Sequence, residues 1–330
     1  MTTLALQKPA SITMVGALNT ALRDALAEDE RVVIFGEDVG TLGGVFRVTS
    51  KLAAEFGEAR CFDTPIAESG ILGMSIGMTA YGLRPVVEMQ FDAFSYPSFE
   101  QMISHLAKMR NRTQGHWTTP VVVRIPYGGG IGAVEHHSDS SEAYAAHTPG
   151  LTVVTPATVE DAYGLLRHAI TSEDPVLFYE PKRLYWDTAD ITLPIEVPPI
   201  GKAIVRREGA EATLITYGPT LKVCMEAAEA AAADGYDIGV VDLRSLNPFD
   251  EDTVAEELMQ TGRGIVVHEA SGFGGFGAEI AARLSERCFE YLEAPIQRVT
   301  GLDIPYPPPH LEHNHLPSVQ RIIDALAKVF

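Results

Sequence analysis

At 330 residues, 46% hydrophobic and 21% charged, the chain is long enough to bury two sizeable cores. Its net charge of −19 argues against the basic face of a nucleic-acid binder. It fits either simple solubility or the docking of basic partners.

Cys61, Cys224 and Cys288 lie far apart, form no CxxC and read as reduced thiols. No apolar run is long enough to span a membrane. The stretch up to Met14 carries Lys8 and no Arg, unlike a signal or transit peptide. A bacterial cytoplasm, or a trimmed chain in a mitochondrial matrix, would both fit.

Met14, Ala17, Leu18, Ala21, Leu22 and Ala25 recur at helical spacing, with Ser11 or Thr13 as cap. Arg31 to Phe35 reads as a buried strand, with Glu37 and Asp38 just past its end. A loop with Gly40, Gly43 and Gly44 leads to a short helix ending near Gly57, then a strand over Arg60 to Asp63.

Asp63-Thr64-Pro65-Ile66-Ala67-Glu68-Ser69-Gly70 reads as a helix start, with Thr64 as cap and Pro65 at the first helical position. The helix continues to Gly82 through Gly70, Gly73 and Gly77 among Ile71, Leu72, Met74, Ile76 and Met78. Each interior glycine costs about 1 kcal/mol of helix stability. The expectation is a buried, closely packed helix with one carboxylate, Glu68, in its first turn.

Pro85 to Met89 is the next strand, followed by Gln90, Phe94 and a helix capped by Ser98 with Gln101 and running through Met109. Val121 to Ile125 is a strand that opens into a glycine-rich loop holding His136 and His137. Leu151 to Thr155, a helix capped by Thr158 and Val176 to Tyr179 close the series. The alternation predicts an α/β unit with a mainly parallel sheet. Glu37, Glu68, Gln90, Phe94 and the His137 loop all follow strands, so they share one end of that sheet.

Asp187 to Pro199 is rich in Pro and acid and reads as a linker. The division is residues 1–187, a linker over 188–200, and a second α/β unit over 201–330. The second unit has strands at Ala212 to Thr216, Ile238 to Asp242, Gly264 to His268 and Ile296 to Val299. Its helices run about Leu221 to Ala233, Glu251 to Gln260 and Ala278 to Cys288.

Position alone gives Glu68 a helix-dipole role, but a carboxylate in an apolar glycine-rich setting calls for a partner or a proton. His137 reads either as an acid/base group on a mobile loop or as a solvated histidine. Gly272 to Gly277 matches GxGxxG after a strand, which raises a dinucleotide-binding oxidoreductase as an alternative. The acidic partner of that motif is not at an evident strand end. His310, Glu312, His313 and His315 suggest a metal site or, better, a solvated loop crowded by prolines.

Taken together, Asp63 to Gly70, Gly82-Leu83-Arg84-Pro85, His137-Ser138 and Pro149-Gly150-Leu151 resemble the beta subunit of thiamine-diphosphate-dependent 2-oxo acid dehydrogenases. Phe178 to Lys182, Val241 to Arg244, His268-Glu269-Ala270 and Leu292 to Ile296 extend the likeness over nearly the whole chain and lean toward the branched-chain type. A pyruvate or acetoin dehydrogenase beta subunit is the alternative within the family.

The resemblance implies a transketolase-like fold: a pyrimidine-binding domain followed by a transketolase C-terminal-type domain. It implies an α2β2 heterotetramer that shares thiamine diphosphate at alpha–beta interfaces. It also implies a lipoyl-bearing acyltransferase core that docks through its subunit-binding domain, and a 2-oxo acid substrate, with no nucleic acid or membrane partner. The alpha-type GDG motif is lacking, since Ala233-Asp234-Gly235 is the nearest string, so Mg²⁺ falls to the alpha subunit.

By the same resemblance Glu68 supports the pyrimidine nitrogen N1′, and Gln90 and Phe94 line the pyrimidine. His137 serves acyl transfer to lipoyl. Ala169, Ile170, Ser172 and Asp174 mark a possible structural potassium site, and Gly73 and Gly77 a helix crossing between subunits or simple core packing. Asp139 and Ser141 depart from the His-Ser-Gln and Pro that family members commonly carry.

Overall fold

The computed structural model describes residues 10–330. The expectation of no targeting leader falls largely on residues 1–9 and lies outside the described residues. No described helix is long and apolar enough to cross a membrane.

The first unit runs β1 (Ala10–Thr13), α1 (Met14–Glu28), β2 (Val32–Gly36), α2 (Leu52–Phe56), β3 (Cys61–Asp63), α3 (Glu68–Ala80) and β4 (Arg84–Glu88). It continues through α4 (Met109–Arg112), β5 (Val122–Tyr127), α5 (Glu142–Ala146), β6 (Thr152–Val154), α6 (Val159–Thr171) and β7 (Val176–Pro181). The second runs β8 (Thr188–Ile191), β9 (Ile204–Arg207), β10 (Ala212–Thr216), α7 (Leu221–Ala233), β11 (Ile238–Asp242), β12 (Ser245–Asn247) and α8 (Glu251–Thr261). Then come β13 (Gly264–Ser271), α9 (Phe276–Arg287), β14 (Gln297–Gly301), α10 (Glu312–His315) and α11 (Val319–Leu326).

Two mixed sheets result. One has the order β12-β6-β7-β5-β4-β2-β3, parallel except for β12. The other has the order β14-β13-β10-β11-β9, parallel except for β9. Strand alternation sorts the apolar side chains. Val32, Ile34, Val86, Val122 and Phe178 pack with α1 and α6. Val33, Phe35, Val87 and Val123 face a core shared with α3, α8, α9 and the second sheet. Ala212, Leu214 and Val240 of the second sheet pack outward on α7 and α11.

Caps at α1 and α6 form as expected: Thr13 accepts the Gly16 N–H at 3.1 Å, and Thr158 accepts that of Asp161 at 3.2 Å. The other two expected caps do not form. The Thr64 N–H donates to the Gly36 carbonyl at 3.0 Å, so strand pairing carries the chain past it. Helix α3 therefore starts only at Glu68, and Pro65 lies outside it. Ser98 already sits in a 3-10 turn (Asp92–Ser98) and donates back to Ser95 O at 2.7 Å. Beyond it the expected single helix breaks into a π segment (Gln101–His105), a 3-10 turn (Leu106–Lys108) and α4.

Helix α3 is also not buried all round. Ile71, Leu72, Ser75, Ile76 and Thr79 are buried, whereas Gly70, Gly77 and Met74 face out. A Cβ at Gly77 would meet nothing within 4 Å, so its glycine is not demanded by packing inside this chain. The stretch expected as a linker opens with β8, which pairs antiparallel with β1. Strand β12 is a further surprise, because it leaves its own unit and pairs with β6 at the edge of the first sheet.

Candidate active site

Adjacent strands β7, β5, β4, β2 and β3 end on one side, and each end delivers a side chain. Strand β2 leads to Glu37 and Asp38, β3 to Glu68, β4 to Gln90 and Phe94, β5 to the His137 loop and β7 to Lys182. Asp63 anchors the start of this edge by accepting the Gly40 and Thr41 N–H groups at 2.6 and 3.1 Å. Burial pushes its carboxyl up, but those backbone bonds prevail and hold it below the ordinary carboxylate range.

The acidic half consists of Glu37, Asp38 and Glu68. Glu37 is buried, and its Oε1 has no hydrogen-bond partner. Burial first, then the charges of Glu68 and Asp38, push its carboxyl above the usual range. Glu68 is half-buried in the first turn of α3, beside Ile66, which is 84% exposed. Asp38 has a left-handed φ of 59° and accepts Gln90 Nε2 at 3.0 Å.

The aromatic half follows directly from Gln90. Phe91 and Phe94 meet at 5.5 Å, and both close on His137, at 4.3 and 5.2 Å between ring centroids. His137 Nδ1 is buried without a partner. Burial, then His136, then Lys182 hold its pKa below the ordinary histidine value. Lys182 is buried and places Nζ 5.6 Å from the Phe91 ring centre.

The His137 loop is held from beneath. Buried Asp92 accepts Ser141 N at 2.7 Å and Ser141 Oγ at 2.5 Å. Tyr96 OH donates to Asp139 Oδ2 at 3.0 Å. The two positions that depart from the family's usual residues are thus both hydrogen-bonded to the segment after β4. Glu312 accepts the Gly130 and Gly132 N–H groups, each at 3.2 Å, and Tyr306 OH at 3.0 Å. His315 is buried and meets Tyr306 at 4.9 Å. His310, Leu311, His313 and Asn314 are exposed, as a solvated loop would have them, while Glu312 and His315 tie the segment to the glycine loop and to Tyr306. No group of three or more His, Cys, Asp or Glu among the described residues could hold a metal ion.

The chain shows its family across most of its length. The profile described as "Transketolase, pyrimidine binding domain" matches residues 10–187, and "Transketolase, C-terminal domain" matches 201–322. The chain is 52% identical to the 3-methyl-2-oxobutanoate dehydrogenase subunit beta of Mycobacterium tuberculosis, over 97% of this chain and 92% of that one. The chain belongs to the 2-oxo acid dehydrogenase beta-subunit family.

Two further relatives frame that family. The 2-oxoisovalerate dehydrogenase subunit beta of Bacillus subtilis is 45% identical, with 90% of this chain and 91% of that one covered. The pyruvate dehydrogenase E1 component subunit beta of Leifsonia xyli subsp. xyli is 48% identical, with 96% and 94% covered. A split-gene transketolase, solved as an inactive beta4 tetramer, shares the fold at a TM-score of 0.80 and 23% identity, covering 97% of this chain and 98% of that one.

For a beta subunit of this family the glycine-rich turn at 272–277 has a packing explanation. A Cβ at Gly277 would lie 2.5 Å from the His268 ring, and one at Gly275 would lie 2.8 Å from it. These glycines give room to buried His268, which stacks on Tyr217 at 5.8 Å.

The four residues of the potassium expectation are already engaged. Ile170 and Ser172 carbonyls accept Arg84 Nη1 at 3.1 and 2.8 Å. The Ala169 carbonyl accepts Ser172 N at 3.2 Å, and the Asp174 carboxylate pairs with Arg110 at 2.5 Å. Arg84 thus donates to the Ile170 and Ser172 carbonyls within the segment of the potassium expectation.

Sequence reasoning singled out Glu68, Gln90, Phe94 and His137, which the structure sets at neighbouring strand ends, but gave no role to Phe91, Asp92 or Lys182. Phe91 sits between two chosen residues. Lys182 ends a strand whose neighbours had been chosen, which was the available signal.

Proposed function

We propose that the chain is the beta subunit of a branched-chain 2-oxo acid dehydrogenase. It acts with an alpha subunit in an α2β2 assembly, decarboxylates 2-oxo acids with thiamine diphosphate and acylates the lipoyl group of an acyltransferase core. The observation that carries this is the acidic edge beyond β2 and β3. There Glu37 has an orphaned oxygen and Glu68 makes no hydrogen bond to the described residues. Such carboxylates suit a nitrogen donor from outside the chain. A cavity of about 940 Å³ lies elsewhere, between Phe99, Tyr144, Phe249 and Phe276. The open acidic edge therefore fits half of a site completed by another chain.

The chemistry supplied by bound thiamine diphosphate is an electron sink for the carbon that loses CO₂. The chain's own part is local. Glu68 holds a proton at the pyrimidine N1′, in a setting where a charge-assisted hydrogen bond is strong. Phe94 and Gln90 orient the pyrimidine. His137, kept below its ordinary pKa, exchanges a proton at the lipoyl sulfur. Mg²⁺ is held by the alpha subunit. The core docks through its subunit-binding domain, and a bacterial cytoplasm is the setting.

Co-expression with the cognate alpha chain tests this reading. CO₂ release is compared for 3-methyl-2-oxobutanoate, pyruvate and 2-oxobutanoate. We expect 3-methyl-2-oxobutanoate to be preferred. The 48% identity to a pyruvate dehydrogenase beta subunit supports the second reading, and a clear pyruvate preference would establish it instead.

A further inference from the structure

Lys182 is 2% exposed, yet its Nζ makes no hydrogen bond. A lysine buried for structural reasons normally sits on a carboxylate, because an unpaired buried charge is costly. Here three acids are near enough to act on it: Asp92, Glu269 and Asp139. All three are committed elsewhere. Asp92 holds Ser141, Glu269 pairs with Arg183 at 2.8 Å, and Asp139 holds Tyr96. The ammonium is instead directed at the Phe91 ring, 5.6 Å from its centre. The same ring meets His137 at 4.3 Å with an interplanar angle of 75°.

We propose that Lys182 is a positioning residue for His137: it seats the Phe91 ring against the imidazole and opposes a second positive charge there. The importance of that for turnover rests on the acyl-transfer reading of His137; the electrostatic effect itself does not. A neutral imidazole keeps one N–H and one lone pair, the form that can both give and receive a proton.

The groups facing His137 are few. Glu135 and His136 lie on its own loop, Phe91 and Phe94 come from the segment after β4, and Lys182 from the end of β7. Glu135 favours the charged imidazole, whereas burial, His136 and Lys182 oppose it. Burial brings Lys182 itself down to about 8, so the ammonium persists at neutral pH.

The test uses the assembled α2β2 enzyme. Modification of His137 by diethylpyrocarbonate is followed against pH, with the peptide quantified by mass spectrometry. In Lys182→Met the midpoint should move to higher pH, because one of the charges that opposes protonation is gone. Lys182→Arg, which retains the charge, should restore the wild-type midpoint. Because Lys182→Met leaves a buried negative excess, the double variant Lys182→Met with Asp92→Asn is measured beside it and should show the same rise. Equal midpoints in wild type and in whichever charge-removing variant assembles would overturn the proposal. A midpoint moved equally by Lys182→Arg would also overturn it, since charge would then not be the cause. The midpoint is read on the protein itself, so failure of the acyl-transfer reading appears separately, as lipoyl acylation indifferent to His137→Ala.

Discussion

The first sheet carries one group of acids within its strands and another just beyond their ends, and their surroundings are opposite. Arg124 on β5 is fully buried and donates to Glu180 at 2.7 and 2.8 Å and to Glu88 at 2.6 Å. Tyr185 adds a bond to Glu180 at 2.7 Å. The ladder places Glu88 directly opposite Arg124, so strand register alone brings the charges together. Burial alone would pull the guanidinium's pKa down, but the two carboxylates outweigh it and hold the charge. Beyond the strand ends, Glu37 and Glu68 crowd each other without a cation. A closed network of this kind organises the sheet, whereas acids left short of partners remain open to a donor from outside the chain.

The sharpest way to break that comparison is Glu68→Gln. CO₂ release by the α2β2 enzyme should fall by about 10²–10³-fold, while assembly measured by sedimentation is retained. Retained turnover would mean that the open acids are only a helix-terminus feature. Arg124→Met attacks the other side. Removing one partner of a buried network should cost about 3–5 kcal/mol, read by denaturant unfolding, with little change in the ligand-facing edge. Stability unchanged within error would show that the closed network is not structural.

A glycine pair sharpens the same contrast between committed and uncommitted positions. Gly277→Ala forces a Cβ against His268 and should destabilise the chain by about 1–3 kcal/mol. Gly77→Ala meets nothing inside the chain and should stabilise the isolated chain by about 0.5–1 kcal/mol. If Gly77→Ala also weakens assembly with the alpha chain, the open face of α3 is a subunit contact.

Glu142 is the intermediate case. It accepts Tyr217 OH at 2.9 Å through one oxygen, while the other has no partner. Burial raises its pKa from 4.5 to about 7. The folded state thus holds this proton more tightly than the unfolded chain. Its contribution is favourable below pH 4.5 and is lost as pH rises toward about 7. Glu142→Gln should flatten that window, with the difference from wild type growing by about 2–3 kcal/mol between pH 5 and pH 8 in urea unfolding.

Much of the architecture was legible before any coordinates. The strands near residues 32–36, 122–127, 212–216 and 238–242 are mainly apolar runs, and the helix at Leu221–Ala233 has a clean pattern. Local chemistry misled at Thr64 and Ser98, because both were read as caps from neighbouring residues alone. Thr64 was claimed by strand pairing and Ser98 by a turn that had already begun. Strand β12 was invisible because its partner, β6, lies more than ninety residues away.

The sequence by itself determined the alternating α/β plan, carried the resemblance that named the family, and singled out Glu68, Gln90, Phe94 and His137 as candidates. The plan follows from periodicity, a local property, and the candidates rest on the resemblance and on their places after strands. Only the tertiary structure decided which acids are satisfied and which are not. It also gave Lys182 its place behind Phe91, set Arg84 on the carbonyls of the potassium expectation and left one face of α3 open. Each of these depends on distances between segments remote in the chain, and hydrogen bonding and desolvation act across those distances.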